Sequence, residues 1–490
     1  MPRPITDGRL KIDFSFQPAE VSTPADGDTY FPIVILGDFS GRANRTSDTP
    51  GIAAQIDYDN FEQVLAKFDV SLPLASTGPG SEQQTVRFRH LEDFHPDRLI
   101  HQITTFSRLF DLRGRLLDPA HAGGAVAEAE AILKREVTES APLPATSTET
   151  TEELFTRLLG KPATAEPKRT PAASKLDELI KQIVAPSVVP EPSIEQSQLV
   201  QLIENELSKG LRDLLHDPKL QALESSWRGI DFLIREAGEQ IQFYLIDIEK
   251  GELASLTVGC DFTKTAIFKH LEQIGPALLL GLYTFGLEDH RLLGSIGSFA
   301  AALQTTLVGG ASPQLVGCNS FGLQADSDDW ATAPVLAEFD ALRRMPQSAH
   351  LGLLMPRFLL RQPYGLNSDP IESFPFQETS YPFEHESYLW GNPALLCGYL
   401  LADAFAAEGW DLDTSKGGQI FGLPVYTFTA GGENQVKPCA EAWLSEKTTE
   451  LIRRRGFTPV GSIRGRDAVE IRALQSFSLP PQPLIIRSRG

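Results

Sequence analysis

A P-loop nucleotide site needs a glycine-rich loop whose backbone N–H groups face the phosphates, followed by a lysine and a serine or threonine. The nearest approaches in this chain are Gly281-Leu-Tyr-Thr-Phe-Gly286 and the pair Gly431-Gly432, and each lacks the spacing or the lysine. The expectation is therefore no nucleotide cofactor and no ATPase activity. Metal chemistry needs His, Cys or carboxylates at ligand spacing. None of the nine histidines falls in an HxxxH or HExxH pattern, and His350 and His385 stand alone. Cys260, Cys318, Cys397 and Cys439 are too dispersed for a CxxC clamp. Asp326-Ser-Asp-Asp329 lacks the glycine and terminal glutamate of a calcium loop, so it reads as a helix-entry loop before Trp330. No residue is assigned a catalytic, cofactor-binding or metal-binding role, and the chain reads as a non-enzyme.

The motifs that do stand out pack rather than react. They are Leu223-Glu-Ser-Ser-Trp-Arg-Gly229, the run from Gly352 through Met355-Pro-Arg357 and Arg361-Gln-Pro-Tyr-Gly365, Tyr388-Leu-Trp-Gly-Asn392, and Gly409-Trp410. An arginine beside proline and aromatic residues can lie flat against rings and carbonyls, which suits a rigid, polar-lined interface or a pinned buried turn.

The elements that must hold these motifs form an α/β (α+β) architecture. Residues 1–140 read as one unit. Leu10, Ile12, Phe14 and Phe16 alternate with polar residues, the period of a half-buried strand. Phe31 to Leu36 is a continuous apolar strand, Phe61, Val64 and Leu65 begin a helix, and the apolar spacing from Pro96 to Leu117 predicts one long amphipathic helix. Residues 141–197 are rich in Pro, Ser, Thr, Ala and Glu and read as a flexible linker with short helices at 152–159 and 174–184. In the second of these Leu176, Leu179, Ile180, Ile183 and Val184 form one apolar stripe. Residues 198–490 make the larger unit. Helices are expected at 199–215, 263–274, 295–306, 331–344 and 394–407, with a further one carrying Leu220 to Leu233. Strands are expected at 241–246, 315–318, 350–354 and 425–429.

The balance of 64 acidic against 44 basic residues gives a formal net charge of -20, which argues against nucleic acid or an anionic membrane surface as partner. No apolar run reaches the roughly 18–20 residues that span a bilayer, and nothing at the start resembles a signal peptide, so the reading is reduced and cytoplasmic.

Four separated motifs carry a resemblance to a known family. Through Leu220-Gln-Ala-Leu-Glu-Ser-Ser-Trp-Arg-Gly229, Met355-Pro-Arg-Phe-Leu-Leu-Arg-Gln-Pro-Tyr-Gly365, Tyr388-Leu-Trp-Gly-Asn392 and Gly456-Phe-Thr-Pro459, the larger unit resembles the large sheath subunit of the bacterial type VI secretion system, the TssC or VipB family. Through Leu36-Gly-Asp-Phe-Ser-Gly41, Ile56-Asp-Tyr-Asp-Asn-Phe61 and Leu91-Glu-Asp-Phe-His-Pro96, the first unit resembles the small sheath subunit, TssB or VipA. The chain thus looks like a fusion of the two. The resemblance implies a contractile sheath protomer that assembles with other sheath subunits around an inner tube protein, meets baseplate components, and drives the tube outward on contraction. It also implies recycling by a ClpV-type AAA+ unfoldase that grips the helix bearing Leu176, Leu179, Ile180, Ile183 and Val184. Leu10, Ile12, Phe14 and Phe16 are expected to pair as a strand with another polypeptide. Large subunits of this family continue beyond the Gly-Phe-x-Pro motif with strands that knit protomers together, whereas this sequence stops after Gln475 to Ile486 and a few more residues. On that ground the alternative is a sheath-associated adaptor or capping protein that does not polymerise alone.

Overall fold

Phe31–Gly37 is apolar at almost every position, with no alternation, so both of its faces have to be covered. The structure puts it in the middle of a sheet. The computed structural model describes residues 30–42, 52–74, 84–139, 193–330, 337–379, 384–430 and 432–486. The strands in chain order are β1 (Phe31–Gly37), β2 (Ala53–Ile56), β3 (Val70–Pro73), β4 (Thr85–Phe88), β5 (Ile241–Asp247), β6 (Leu278–Phe285), β7 (Leu307–Ala311), β8 (Leu351–Met355), β9 (Phe358–Leu359), β10 (Trp390–Gly391), β11 (Lys416–Ile420), β12 (Tyr426–Ala430), β13 (Glu433–Lys437), β14 (Thr458–Pro459), β15 (Gly461–Ser462) and β16 (Val469–Ala473).

Seven of them form the main sheet in the order β14-β8-β7-β6-β1-β5-β2. All its pairings are parallel except β2 with β5. β1 runs in register with β5 from Phe31↔Ile241 to Gly37↔Asp247, and with β6 from Ile33↔Leu278 to Leu36↔Gly281. A strand from the first sequence region is thereby flanked on both sides by strands from the second. Two compact units result: the described residues up to Ile103 together with those from Ser208 onward, and Thr104–Leu207. The boundary read near residue 140 is a boundary in the sequence, while the hydrophobic core crosses it.

The sheet is covered on both faces. Val34, Leu36, Tyr244, Ile246, Leu279 and Leu307 share one core with Phe268, Leu271, Leu293 and Phe299 from helices Ala266–Ile274 and His290–Ala302. On the opposite face the Phe31 ring lies 4.8 Å from Phe405 of helix Ala394–Glu408, which packs beside helix Pro218–Arg235. Asp217 caps the latter by accepting from the Lys219 N–H, with Pro218 in the first turn, where its missing N–H costs nothing.

In the second unit, helices Thr104–Leu117 and Ala122–Glu139 are joined by an ion pair between Arg115 and Glu128 at 2.8 Å, and Arg113 meets Glu204 at 2.7 Å. Helix Ile194–Leu215 starts five residues earlier than its apolar pattern suggests. Ser193 and Gln196 form a reciprocal capping box there, the side chain of each accepting from the other's backbone N–H.

Three expectations change. The single helix from Pro96 to Leu117 is two helices, Pro96–Gln102 and Thr104–Leu117, because buried Ile103 is extended at the head of a β-branched run, Ile103-Thr-Thr105. Leu315–Cys318 is not a strand: Ser312 accepts from the Gln314 N–H, Pro313 follows, and a single 3-10 turn spans Pro313–Val316. The helix placed at 295–306 is His290–Ala302, followed by the unpredicted strand β7. The strand at Leu10–Phe16 and the helices at 152–159 and 174–184 lie outside the described residues.

Candidate functional site where the motifs converge

The motifs singled out from the two sequence regions meet each other. Buried Trp227 donates its indole N–H to the Phe39 carbonyl at 2.9 Å, and its ring meets Phe39, Phe61 and Phe68 edge-on at 6.0, 5.8 and 5.6 Å. An indole suits this place because it combines a large apolar body with one donor aimed at a backbone acceptor. Gly41 turns the chain here with φ +80°, and a Cβ on it would stand 2.7 Å from the Ser71 carbonyl, so glycine is needed twice over. Gly229 leaves room for a neighbour: a Cβ there would force the Leu395 side chain to shift.

Behind this joint sits a buried carboxylate that the sequence did not flag. Asp247 ends β5 and accepts from the Phe39 N–H at 2.9 Å, the Ser40 N–H at 3.2 Å and the Ser40 hydroxyl at 2.6 Å. Burial pushes its pKa up to about 6, despite the Ser40 hydrogen bond. A second polar tie lies farther along: Asp97 accepts from the Glu372 N–H at 2.9 Å and from the Ser373 N–H and hydroxyl at 3.0 and 2.5 Å. Next to it, the His95 ring stands edge-on to Tyr364 at 5.0 Å.

Arg361 lies buried between two buried carboxylates. Its Nε is 2.8 Å from Glu224 Oε1, and its Nη1 is 2.7 Å from Glu378 Oε2. Glu378 also accepts from the Tyr364 N–H at 2.7 Å, and Glu224 from Arg228 Nε at 2.7 Å. The Arg361 guanidinium stacks 4.2 Å from the centre of the Tyr364 ring, and Arg228 donates to the Tyr364 hydroxyl at 3.1 Å. Burial alone would raise the Glu224 carboxyl, yet the two guanidiniums outweigh it and hold it below its usual range. These contacts tie helix Pro218–Arg235 to the turn after β9 and to residue 378, the pinned buried turn that arginine beside proline and tyrosine suggests.

Arg357 centres a second network. Its backbone N–H and Nε each donate to Glu441 at 2.8 Å, and its guanidinium also grips Glu386 through two bonds of 3.1 and 2.9 Å. His385 Nε2 is 3.0 Å from Glu441, and Lys437 Nζ is 3.0 Å from His385 Nδ1. Although burial pushes Glu441 up, the His385 hydrogen bond and Arg357 bring it down to about 2. His385, Glu386 and Glu441 bring potential ligand atoms within 4.8 Å of one another. Arg357 already donates to both carboxylates of that group, which offsets their charge.

This geometry is a set of joints between segments distant in sequence. Residues 197–478 match the family model described as EvpB/VC_A0108, tail sheath N-terminal domain. Residues 7–150 match the one described as type VI secretion system, VipA, VC_A0107 or Hcp2. The chain belongs to the type VI secretion tail sheath family. It is 28% identical over 374 residues to the type VI secretion system sheath protein TssC1 of Pseudomonas aeruginosa, an alignment covering 70% of this chain and 74% of that protein.

Beyond the joints, β12 and β13 form a two-stranded ribbon that pairs with no further strand among the described residues, in register from Tyr426↔Lys437 to Ala430↔Glu433. Glu433 to Val436 are all exposed. Of the residues assigned to assembly from sequence, Leu10, Ile12, Phe14 and Phe16, and Leu176, Leu179, Ile180, Ile183 and Val184, lie outside the described residues. Missed altogether were Asp247, Glu378, Glu441 and Lys437. Their signal is weak, because each is a single acidic or basic residue outside the aromatic motifs, and only the fold brings it to its arginine, histidine or backbone partner.

Proposed function

We propose that this sheath subunit is a covalently fused small-plus-large protomer that polymerises around an inner tube, stores energy in an extended state and ejects the tube on contraction. The observation that carries the reading is the shared sheet: β1, from the region matching the small-subunit family, is hydrogen-bonded between β5 and β6 of the region matching the large-subunit family. Such a sheet moves as one body under load, as a force-bearing subunit requires. Work then comes from conformational energy of the assembly, with no turnover by this chain, and baseplate components and further sheath subunits complete the particle in the bacterial cytoplasm.

The ribbon supplies an acceptor surface at β13, whose residues Glu433 to Val436 are exposed, since an exposed edge strand takes up an added strand by β-augmentation. The segment bearing Leu10, Ile12, Phe14 and Phe16 of another protomer is the donor. Leu176, Leu179, Ile180, Ile183 and Val184 form the face gripped by a ClpV-type unfoldase, in the helix-in-groove mode.

Negative-stain electron microscopy of the protein with its neighbouring gene products tests the first part. Tubes that disappear when residues 1–18 are deleted, with the thermal melt retained, are expected; tubes that persist, or a protein that only decorates the ends of other tubes, overturn it. For the unfoldase contact, Leu179→Asp with Ile183→Asp should abolish binding of a 174–185 peptide to the unfoldase N-domain by fluorescence polarisation. Equal affinity removes that part alone.

A further inference from the structure

Lys437 closes β13 at the root of the ribbon, and its surroundings differ from those of a solvated surface lysine. Its Nζ stands 3.0 Å from His385 Nδ1, and His385 Nε2 stands 3.0 Å from Glu441 Oε1. Glu441 is buried and, being ionised, can only accept, so the imidazole proton sits on Nε2 and the Nδ1 lone pair faces the amine. Amine, imidazole and carboxylate are therefore arranged in the order that activates a nucleophile: a base within hydrogen-bond reach, itself oriented by a third group. The Tyr388 and Trp390 rings wall the amine at 5.1 and 5.4 Å.

The charged groups facing Lys437 are Glu441, Glu386 and Arg357, with His385 in contact. Burial lowers the lysine pKa by more than the two carboxylates raise it, and Arg357 acts in the same direction as burial. The fraction of free amine at neutral pH is thus greater than for an ordinary lysine.

We propose that Lys437 is an acylation site of this protein, with an acyl phosphate as donor and His385 as the base. The Nζ lone pair attacks the acyl carbonyl carbon, a C–N bond forms, and the bond from that carbon to the phosphate oxygen breaks. Phosphate leaves with the electron pair, and the surplus amine proton passes to His385 Nδ1 and then to solvent. The product amide carries no charge, so acylation removes a cation from the root of the ribbon together with its contacts to both rings.

The experiment treats the full chain with limiting acetyl phosphate near neutral pH and follows each lysine by peptide mass spectrometry. Lys264 and Lys416, whose side chains are 83% and 65% exposed, serve as internal references. Lys437 is expected to acetylate about tenfold faster than either, a modest share of what a positioned base contributes. In His385→Asn, with the thermal melt unchanged, its rate should fall to that of the references. A Lys437 rate no higher than theirs, or one indifferent to His385→Asn, overturns the proposal. Should that variant fail to fold, the pH profile of the unsubstituted chain decides: the Lys437 rate should level off at lower pH than the reference lysines, and coincident profiles overturn the assignment.

Discussion

The seven-stranded sheet and the β12–β13 ribbon are both strand pairings of this one chain, and they stand on opposite physical footings. Every residue of β1 is buried, and its neighbours β5 and β6 are nearly so. In β13 no residue is buried, and an isolated two-stranded ribbon is marginal in water. The sheet is held by apolar burial from layers on both faces, whereas the ribbon is held at its root, where Tyr426 is buried and Lys437 meets His385. The difference is one of support: the sheet joins two sequence regions in one hydrogen-bonded layer, and the ribbon leaves β13 largely in solvent.

The largest test of this contrast is Trp227→Ala. Removing the ring leaves a cavity among Phe39, Phe61 and Phe68 and orphans the Phe39 carbonyl, so a loss of about 3–5 kcal/mol is expected by urea denaturation. A loss below about 1 kcal/mol would mean that the two regions are not held together through this joint. Arg361→Met comes next. It leaves Glu224 and Glu378 buried without their shared cation, and breaking such a pair costs about 3 kcal/mol. Restoration by the further change Glu378→Gln, read in a double-mutant cycle, would confirm that the penalty lies in the uncompensated charge, since Glu224 keeps its bond to Arg228.

These same residues mark where the sequence was legible. Phe31 to Leu36 is apolar without alternation, so a strand covered on both faces could be read directly, as could the helix entered through Asp217-Pro218. The arginine-proline-aromatic motifs announced pinned turns, and Arg361 stacked on Tyr364 is one. The partners of those arginines were not legible, because Glu378 and Glu441 are single carboxylates whose importance depends on long-range folding. Nor was the shared sheet: composition changes after residue 140, and a change in composition marks the chain, not the hydrogen-bonded neighbours of β1. Ile103 and Ser312 show local chemistry overriding periodicity, the first by an extended backbone within an apolar helical pattern, the second by capping a 3-10 turn.

Two carboxylates, one behind the sheet and one beneath the ribbon, should respond to pH with opposite sign. Asp247 has its pKa raised by burial from an ordinary 3.8 to about 6. The folded chain binds that proton more tightly than the unfolded one, so its contribution is fully present below about 3.8 and is lost as pH rises through about 6. Glu441 is held down from 4.5 to about 2, so its contribution is present above about 4.5 and is lost as pH falls through about 2. Urea midpoints of the parent, Asp247→Asn and Glu441→Gln across the acid range should therefore diverge: the parent's advantage over Asp247→Asn shrinks as pH rises, and its advantage over Glu441→Gln grows. Slopes of the same sign would mean that one carboxylate is not buried as described.

The smallest expected effect on stability falls on the ribbon itself. Val436, paired with Thr427, is 47% exposed, so Val436→Lys removes little buried area and should shift the unfolding free energy by no more than about 0.5 kcal/mol. A lysine on an exposed edge strand is nevertheless a device by which proteins block pairing with a further strand. The substitution should leave the monomer's urea midpoint unchanged and prevent tube formation, scored by electron microscopy and by sedimentation of the assembled fraction. A variant that unfolds would place the ribbon inside the fold's cooperative core, and a variant that forms tubes as the parent does would show that the ribbon takes no strand. Stability unchanged with assembly lost is the one combination that keeps the sheet and the ribbon in separate roles, and it is the outcome expected from their burial.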